Sequence, residues 1–546
     1  MSKRFSFKSC WGVVFLGLGL ILFAGCEKPA VDGYYYEIRT EPQRLRQIET
    51  LDLENMQTEK TSRTDANQVP PKQLEITLEQ SRALALENNL DLKVQLINPA
   101  VAAQKVSEEE ARFEWAFFSN ISYSKTDTPT STTLTGSSVD YSYIDLGVQV
   151  PLRTGGKVTF KAADSRVKTN NIFYTLNPAY ESDFSISISQ PLLRDAGNRA
   201  NTYAIRIAEY ERQITDARTK LEVIRVIADV DRVYWRLYAA RQELEVRKKQ
   251  YDLANAQLEQ AQRFVDSGEM PLIEVIRAEA GVAERLEGII VAENSLRDRE
   301  RELKRILNKP DMDMQTPTVL IPATSPDPVH YELPGPRLVT AAIENRMEML
   351  ELELQIAQDV STIDYLRNQA LPVVTLAYTY NINGLGPTRN DSYDLLYDKR
   401  FEDHILGLNL LVPLGNQAAK SRLLQAFYTR KQRLATRQNR SSLIEIEVLN
   451  AIDQLEANWQ RILAGRQNSI LAARLFEAEK RNFEIGLSTS TDVLNAQTKF
   501  ADAQRTEILA LTEYQIALVD LAYATGTLLG AAKVHWEPII PATDAD

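Results

Sequence analysis

The sequence predicts a mainly α-helical protein in which a unit of short β-strands and a long helical hairpin occurs twice. Three observations support this fold class. The range Arg199–Ser267 contains neither Gly nor Pro, its apolar residues recur every seven positions, and alternating strands stand at equivalent places in both halves. With 546 residues and 25% charged side chains, the composition excludes both wholesale disorder and a bundle of membrane-spanning helices.

The composition also excludes several functions. The chain has only 3 His and 2 Cys, so a metal site built from these residues is not expected. Its 63 basic and 74 acidic residues give a net charge of −11 without a basic region, so nucleic acid is not an expected partner. The string Gly155-Gly156-Lys157 lacks the spacing of a phosphate loop, and no nucleophile–base pair is identifiable. We therefore predict that the protein is not an enzyme and binds no cofactor.

Residues 1–25 resemble a bacterial export signal. Three basic residues precede the uncharged stretch Trp11–Gly25, which spans about 22 Å and is too short to cross a membrane. The string Phe23-Ala24-Gly25-Cys26 resembles a lipobox, so we predict that Cys26 becomes the acylated first residue and carries covalent lipid. An ordinary secretory signal with an incidental Cys is the alternative. Removal of the signal would change the net charge from −11 to −14.

The remaining chain divides into two units of similar size. Seven of the 22 prolines fall within residues 308–336, which predicts an extended connector because Pro fixes φ and lacks the amide donor. Before the first unit lie the acylated N-terminus and polar tether, residues 26–73. The first unit, 74–307, has predicted strands in 117–192 and a helical hairpin in 199–307. The connector 308–336 leads to the second unit, 337–530, with strands in 373–414 and a helical hairpin in 417–528, and the C-terminal tail is 531–546.

Both units are predicted to begin with one short helix, over Ile76–Arg112 in the first and Pro336–Asn368 in the second. Alternating strands follow. In Phe184–Ser189 large apolar residues alternate with Ser, which is typical of a strand with one face in lipid and the other in water. The first unit has extra strand-like segments, Asp145–Pro151 and Lys157–Ala163, that have no counterpart in the second.

The long helices carry the pattern of a left-handed coiled coil. Every seventh residue of the first long helix is apolar: Val223, Val230, Leu237, Leu244, Tyr251, Leu258 and Val265. A companion seam begins at Val226 and is interrupted only by Arg247. In the second unit, Val448, Leu455 and Ile462 have the same spacing. Sustained heptads of this kind predict long paired helices and therefore an elongated protein.

Each long helix is predicted to end in a Gly turn and return as a second helix. At an offset of 218 positions, Gly268 matches Gly486 and Glu274 matches Asp492. Gly adopts the left-handed conformation that ends a helix, and Thr489 or Ser490 is suited to cap the next one. Each unit is therefore a helical hairpin whose tip lies far from its strands.

With these features, the sequence is similar to the TolC family of outer-membrane channels. The resemblance covers Leu74 to about Gly530 and is carried by the duplicated order, the strand ends Gln190-Pro191-Leu192 and Val412-Pro413-Leu414, and the string Gly486-Leu487-Ser488-Thr489-Ser490-Thr491-Asp492-Val493-Leu494. It implies a lipid-anchored homotrimer whose transmembrane β-barrel is continuous with a periplasmic α-helical coiled-coil barrel. Such a channel serves tripartite efflux or type I secretion, and gives substrates passive exit once coupled to an inner-membrane transporter and a periplasmic adaptor.

The resemblance also implies roles for individual residues. The hairpin tips would dock the adaptor through Gly268, Glu269, Gly486, Leu487, Ser488 and Thr489. The periplasmic entrance would hold Asp492, Asn495 and Glu274. The position of Asp492 carries an acidic ring in well-known members, whereas the second acid found three residues on in some members is Asn495 here. Three Asp492 carboxylates near one axis would repel one another, which would raise their pKa.

Two alternatives remain open. The extra strands of the first unit either project outside the cell, which we favour, or enlarge the barrel. A periplasmic coiled-coil scaffold or adaptor lipoprotein without a pore is the alternative function. It would not need alternating strands in both halves. Pooling strands from three chains, by contrast, would close a sheet whose open edges cannot face lipid.

Overall fold

The computed structural model describes residues 73–132, 134–310, 312, 314 and 318–537. The predicted export signal 1–25, the acylated Cys26 and almost all of the tether lie outside the described residues. The strands and helices of the first half are β1 (Gln73–Ile76), α1 (Leu78–Asn88), α2 (Leu90–Glu110), β2 (Ala116–Asp127), β3 (Ser138–Pro151), β4 (Lys157–Thr169), β5 (Ala179–Pro191), α3 (Asn198–Asn201), α4 (Tyr203–Asp266) and α5 (Ile273–Leu307).

The second half repeats most of this order. Its elements are β6 (Val319–Pro322), α6 (Gly335–Asn345), α7 (Met347–Gln369), β7 (Val373–Gly386), α8 (Arg389–Tyr397), β8 (Glu402–Leu411), α9 (Gln417–Glu484), α10 (Ser490–Ala524) and α11 (Leu528–Ala531). In both halves two helices precede the strands, and a long helical hairpin follows them.

The prediction of one opening helix per half was wrong, because each half opens with two. The first break falls at Asn89, whose backbone is extended (φ −60°, ψ 125°) and whose side chain accepts a hydrogen bond from the amide of Leu92 at 2.9 Å. Asn caps the second helix of this pair and thereby ends the first. In the second half the break falls at Arg346, which is also extended (φ −73°, ψ 132°).

The predicted long helices are confirmed. The helix α4 has 64 residues and α9 has 68, so each is about 100 Å long. A break at Thr202 separates α4 from the short α3, where the sequence predicted a single helix from Arg199. The helices pair as the hairpins α4–α5 and α9–α10, and α4 packs against α10, which joins the two hairpins along their length.

The main core surrounds the middle of α4. Val230 and Leu237 of the predicted heptad seam are fully buried, but so are Ile227 and Ala228, which belong to neither predicted seam. Helix α1 and the parallel pair β1–β6 cover the sides of α4 that a simple coiled coil leaves in water. The Tyr234 hydroxyl donates to the carbonyl of Ile76 at 3.2 Å, and it fixes β1 against this core.

The strands that follow form one antiparallel sheet in the order β2-β3-β4-β5-β7-β8. The pair β5–β7 joins the two halves, with Ile186 opposite Tyr380. Our preference for projecting extra strands was wrong, because β3 and β4 lie inside this sheet between β2 and β5. β3 and β4 pair with each other over thirteen residues, from Val139↔Thr169 to Pro151↔Lys157, and each also pairs with another strand on its other side, β3 with β2 and β4 with β5.

The turn between β3 and β4 explains why this hairpin stays in the sheet. Its tip lies at the helical end, where the amide of Gly197 donates to the carbonyl of Thr154 at 3.0 Å. Gly155 has φ +90°, and a Cβ there would lie 2.1 Å from the carbonyl oxygen of Asp195. Only Gly fits this close approach, so the Gly155-Gly156 turn ties the extra hairpin to the start of the helices.

Candidate functional site: the hairpin tips and the edges of the sheet

The two hairpin tips have the same backbone geometry. Gly268 and Gly486 lie in the left-handed region, with φ +77° and +76°. The amide of Glu269 donates to the carbonyl of Phe264 at 2.9 Å, and that of Leu487 donates to Asn482 at 2.8 Å. These bonds satisfy carbonyls that the end of a helix leaves free.

The structure places the predicted docking residues together at these tips. Leu487 is 76% exposed and Glu269 is exposed, whereas the Ser488 hydroxyl turns back to donate to the carbonyl of Glu479 at 3.2 Å. Beneath them Phe264 and Phe483 meet edge to face, with ring centroids 5.9 Å apart. The tips therefore form one surface over a shared aromatic contact, and their role in docking stays a prediction.

Asp492 has a local structural role. Thr489 caps α10, and its amide donates to Oδ2 of Asp492 at 3.0 Å while its Oγ1 accepts from the amide of Asp492 at 3.3 Å. Of the two candidates predicted from the sequence, Thr489 is therefore the N-cap of α10, and Ser490 is not. The hydrogen bonds from Thr489 lower the pKa of Asp492 within the single chain, which is opposite to the rise expected for a ring of three. Asn495 is exposed one helical turn further on.

Glu274 is not equivalent to Asp492, although the sequence aligns the two. Its side chain is buried, with 7% exposure, and bridges the hairpins. Oε2 accepts from the amide of Ser490 at 2.9 Å, and Oε1 accepts from Nη1 of Arg277 at 2.6 Å. A carboxylate at the start of a helix is stabilised by the free amides there, so Glu274 of one hairpin caps the returning helix of the other.

Further polar contacts join the hairpins on the side of Glu274 that faces away from the tips, and the sequence analysis missed them. Arg285 Nη2 donates to Thr498 Oγ1 at 2.6 Å, and Gln497 Nε2 donates to the carbonyl of Gln250 at 2.8 Å. Higher still, Arg505 pairs with Glu243 at 2.8 Å. The signal was present at Arg247, the one polar residue that interrupts the companion seam. Near the tips the hairpins are thus joined by these polar contacts together with the Phe264–Phe483 ring contact, whereas the middle of α4 lies in the apolar core.

The sheet has two chemically different faces. The apolar face carries rows such as Val148, Phe160, Ile186 and Tyr380, and the polar face carries rows such as Gln149, Thr159, Ser187 and Thr379. On the polar face Asp145 is buried among donors, with the amide of Asn120 at 2.9 Å, the Tyr143 hydroxyl at 3.0 Å and Lys161 Nζ at 3.5 Å. One face suits lipid and the other suits water.

The two edges of this sheet find no partner strand among the described residues. Within the described residues β2 pairs only with β3, and β8 pairs only with β7. Large apolar residues stand exposed on both edge strands, including Ile121 at 75% and Leu406 at 73%. An edge of this kind presents a row of free amides and carbonyls, so it requires a partner strand.

The described part of the chain lacks both a helix suited to cross a membrane and a cluster suited to a metal ion. None of its helices combines the length and apolar character needed to cross a membrane. None of its His, Cys, Asp and Glu residues cluster in threes suited to a metal ion.

Paired long helical hairpins below a sheet with one apolar face define a class of outer-membrane channel subunits. Residues 158–309 and 338–527 match the family described as outer membrane efflux protein, and the chain belongs to that family. The resemblance inferred from the sequence is confirmed, and so is an outer-membrane location extending into the periplasm. In the first half the match begins inside β4, so that β2 and β3 lie outside it.

Individual relatives agree with this assignment. The outer membrane protein TolC of Vibrio cholerae is 25% identical over 356 residues, which cover 64% of this chain and 78% of the relative. That of Salmonella enteritidis is 21% identical over 355 residues, which cover 64% and 70%. The solved Campylobacter jejuni CmeC outer membrane channel has a TM-score of 0.61 at 16% identity, with 83% of this chain and 86% of that chain covered.

We predict that Glu274→Ala loosens the tip of the second hairpin. The substitution removes the acceptor of the Ser490 amide, and a hydrogen bond to a charged group contributes about 1.5–3 kcal/mol. Amide hydrogen exchange in residues 487–494 should therefore become at least about tenfold faster. Glu279→Ala removes an exposed acid from the same helix and should leave exchange unchanged. Equal exchange in both variants would show that Glu274 does not hold the tip.

Proposed function

We propose that three copies of this chain assemble into one channel, and that their sheets close a single barrel. The observation that carries the proposal is the pair of unpaired edges, β2 and β8, on a sheet with an apolar face. Lipid offers no hydrogen bonds, so a sheet survives there only when its edges are joined. Pairing of β2 in one copy with β8 in the next satisfies both edges, and a ring of copies joined in this way closes.

Three chains with six strands each give a barrel of eighteen strands. Strands about 4.8 Å apart and tilted by about 40° then enclose a cylinder about 35 Å across at the backbone. The polar face lines its interior, and the apolar face contacts lipid. The extra hairpin β3–β4 contributes two of the six strands and thus widens the exit.

The helical hairpins would continue this barrel as a tube across the periplasm. The opening helix α2, which packs against α4, supports assembly, because apolar residues stand exposed along one stripe of it at the spacing of a helical face. These residues are Leu90, Val94, Ile97 and Val101, all between 60% and 63% exposed. Burial of such stripes against a neighbouring copy would supply the hydrophobic contribution that the isolated chain lacks.

In this assembly the protein provides passive exit for substrates in tripartite efflux or type I secretion. The family description and the names of the related channels support that role. An inner-membrane transporter would supply the substrates, and a periplasmic adaptor would dock on the hairpin tips around Gly268 and Gly486. Covalent lipid on Cys26 would anchor each chain, and no cofactor is required. A pore-free scaffold or adaptor lipoprotein would have no use for the six-stranded sheet.

The first prediction of this proposal concerns assembly. The full chain in mild detergent should have the mass of a protein trimer by light scattering. It should also migrate anomalously in unheated detergent gels, because a closed barrel resists unfolding. A monodisperse monomer would contradict the proposal.

The second prediction concerns the entrance. Asp492→Asn should reduce cation preference and weaken block by trivalent cations in planar bilayers, because three exposed carboxylates would surround the axis. Asn can still accept the capping bond from Thr489, so the helix start is preserved. Asn495→Asp should shift selectivity in the opposite direction.

Glu274→Gln serves as the matched control for Asp492→Asn. It also removes one negative charge per chain, but that carboxylate is buried in the contact with Ser490. Its effect on selectivity should therefore be smaller. Equal and negligible shifts for Asp492→Asn and Glu274→Gln would remove Asp492 from the pore and leave it as a helix-capping acid.

A further inference from the structure

A cationic patch lies on the apolar face of the sheet, at the end away from the helices. Its members are Lys125 on β2 and Arg166 and Lys168 on β4. The register places Lys125 and Lys168 on either side of Asp140, in one row of the same face. One row nearer the helices, Arg166 stands opposite Tyr180. We call Lys125, Arg166 and Lys168 the rim patch.

Below the rim patch the same face is apolar on β2 and β3, whereas on β4 and β5 the next row holds Asp164 and Ser182 beneath α8. Ile121 stands opposite Ile144 in the next row, and Phe184 stands opposite Ile382 one row further. Because side chains of one face recur at every second residue, these rows and the rim patch form one continuous surface. A change from apolar to cationic side chains along a lipid-facing strand marks the level of the lipid headgroups.

The cations of the rim patch have no ion pair within the described chain. Among the described residues, no carboxylate lies within 4.0 Å of the charged groups of Lys125, Arg166 or Lys168. Asp140 stands in register with both lysines but forms no ion pair, and Asp164 is already engaged with Arg389 at 3.1 Å. The rim patch thus holds three cations against the one carboxylate in its rows, Asp140, so it retains positive charge for an anion from outside the chain.

Helix α8 forms a wall beside the rim patch. It folds back onto the apolar face, where Ser392 Oγ lies 2.8 Å from Ser182 Oγ in a buried contact. A Cβ on Gly384 would lie 2.1 Å from the carbonyl oxygen of Ser392, so the helix is pressed directly on the strand. The Arg389 guanidinium lies 5.8 Å from the centre of the Tyr180 ring, next to Arg166. The wall is therefore fixed in place, and its Arg389 lies against the Tyr180 ring of β5 beside the patch.

We propose that the rim patch binds the phosphate groups of a lipid in the outer leaflet. Arg and Lys bind phosphate by charge-assisted hydrogen bonds, and the apolar rows below would hold the acyl chains of the same molecule. Tyr123 and Tyr180 lie in the row of Arg166, at the level where amphipathic rings favour the membrane interface. The proposal rests on the barrel proposed above, since it requires the apolar face to contact lipid.

The test compares two charge-matched double variants of strand β4. Arg166→Gln with Lys168→Gln removes two cations from the rim patch. Lys157→Gln with Lys161→Gln removes two cations from the opposite, polar face of the same strand. Each purified protein is incubated in detergent with lipid A, a diphosphorylated glycolipid, and retained lipid is counted by native mass spectrometry. Parallel incubations use dephosphorylated lipid A and inorganic phosphate.

The wild type and the polar-face variant should retain lipid A equally, and the rim-patch variant should retain at least about tenfold less. Dephosphorylated lipid should be retained weakly by all three proteins, and millimolar inorganic phosphate should not displace lipid A. Equal retention by the two double variants, or displacement by free phosphate, overturns the lipid site. If the wild type is trimeric, either result leaves the proposed function intact, whereas a monomeric wild type overturns both.

Discussion

A β-sheet edge that faces hydrocarbon leaves a row of amides and carbonyls without hydrogen-bond partners, and lipid cannot replace them. The sheet of this protein ends in two such edges, β2 and β8, and its apolar face prevents it from residing in water. The single chain is therefore incomplete at both ends of its sheet. A ring of copies removes every edge at once, and this requirement links the strand order to assembly and to the presence of a pore.

The contacts that hold the two helical hairpins together change in character along their length. Around its middle, α4 is held by an apolar core that includes Val230 and Leu237. Toward the tips the contacts between hairpins are mainly polar, from Arg505–Glu243 down to the Glu274 bond with Ser490, beside the ring contact of Phe264 with Phe483. Polar contacts of this kind exchange readily with water, so the tips are the part of the tube that is easiest to rearrange. That is the end at which a transporter complex would dock.

Local patterns in the sequence were sufficient for much of this description. Heptads gave the long helices, the glycines at 268 and 486 gave the turns, and alternation in Phe184–Ser189 gave the two strand faces. Features that depend on distant partners were missed. The place of β3 and β4 depends on which strands lie beside them, and the pairing of Glu274 with Ser490 joins residues that are 216 positions apart. Alternation identifies the face of a side chain but not the neighbour of a strand.

The central claim is that three six-stranded sheets close one barrel, and a direct count of strands tests it. An electron cryomicroscopy map of the full chain in lipid nanodiscs, at a resolution that separates strands, would show the barrel in cross-section. The account predicts eighteen strands in a closed ring, with β2 of one copy hydrogen-bonded to β8 of the next. A ring with another number of strands, or a sheet whose edges remain open, would contradict it.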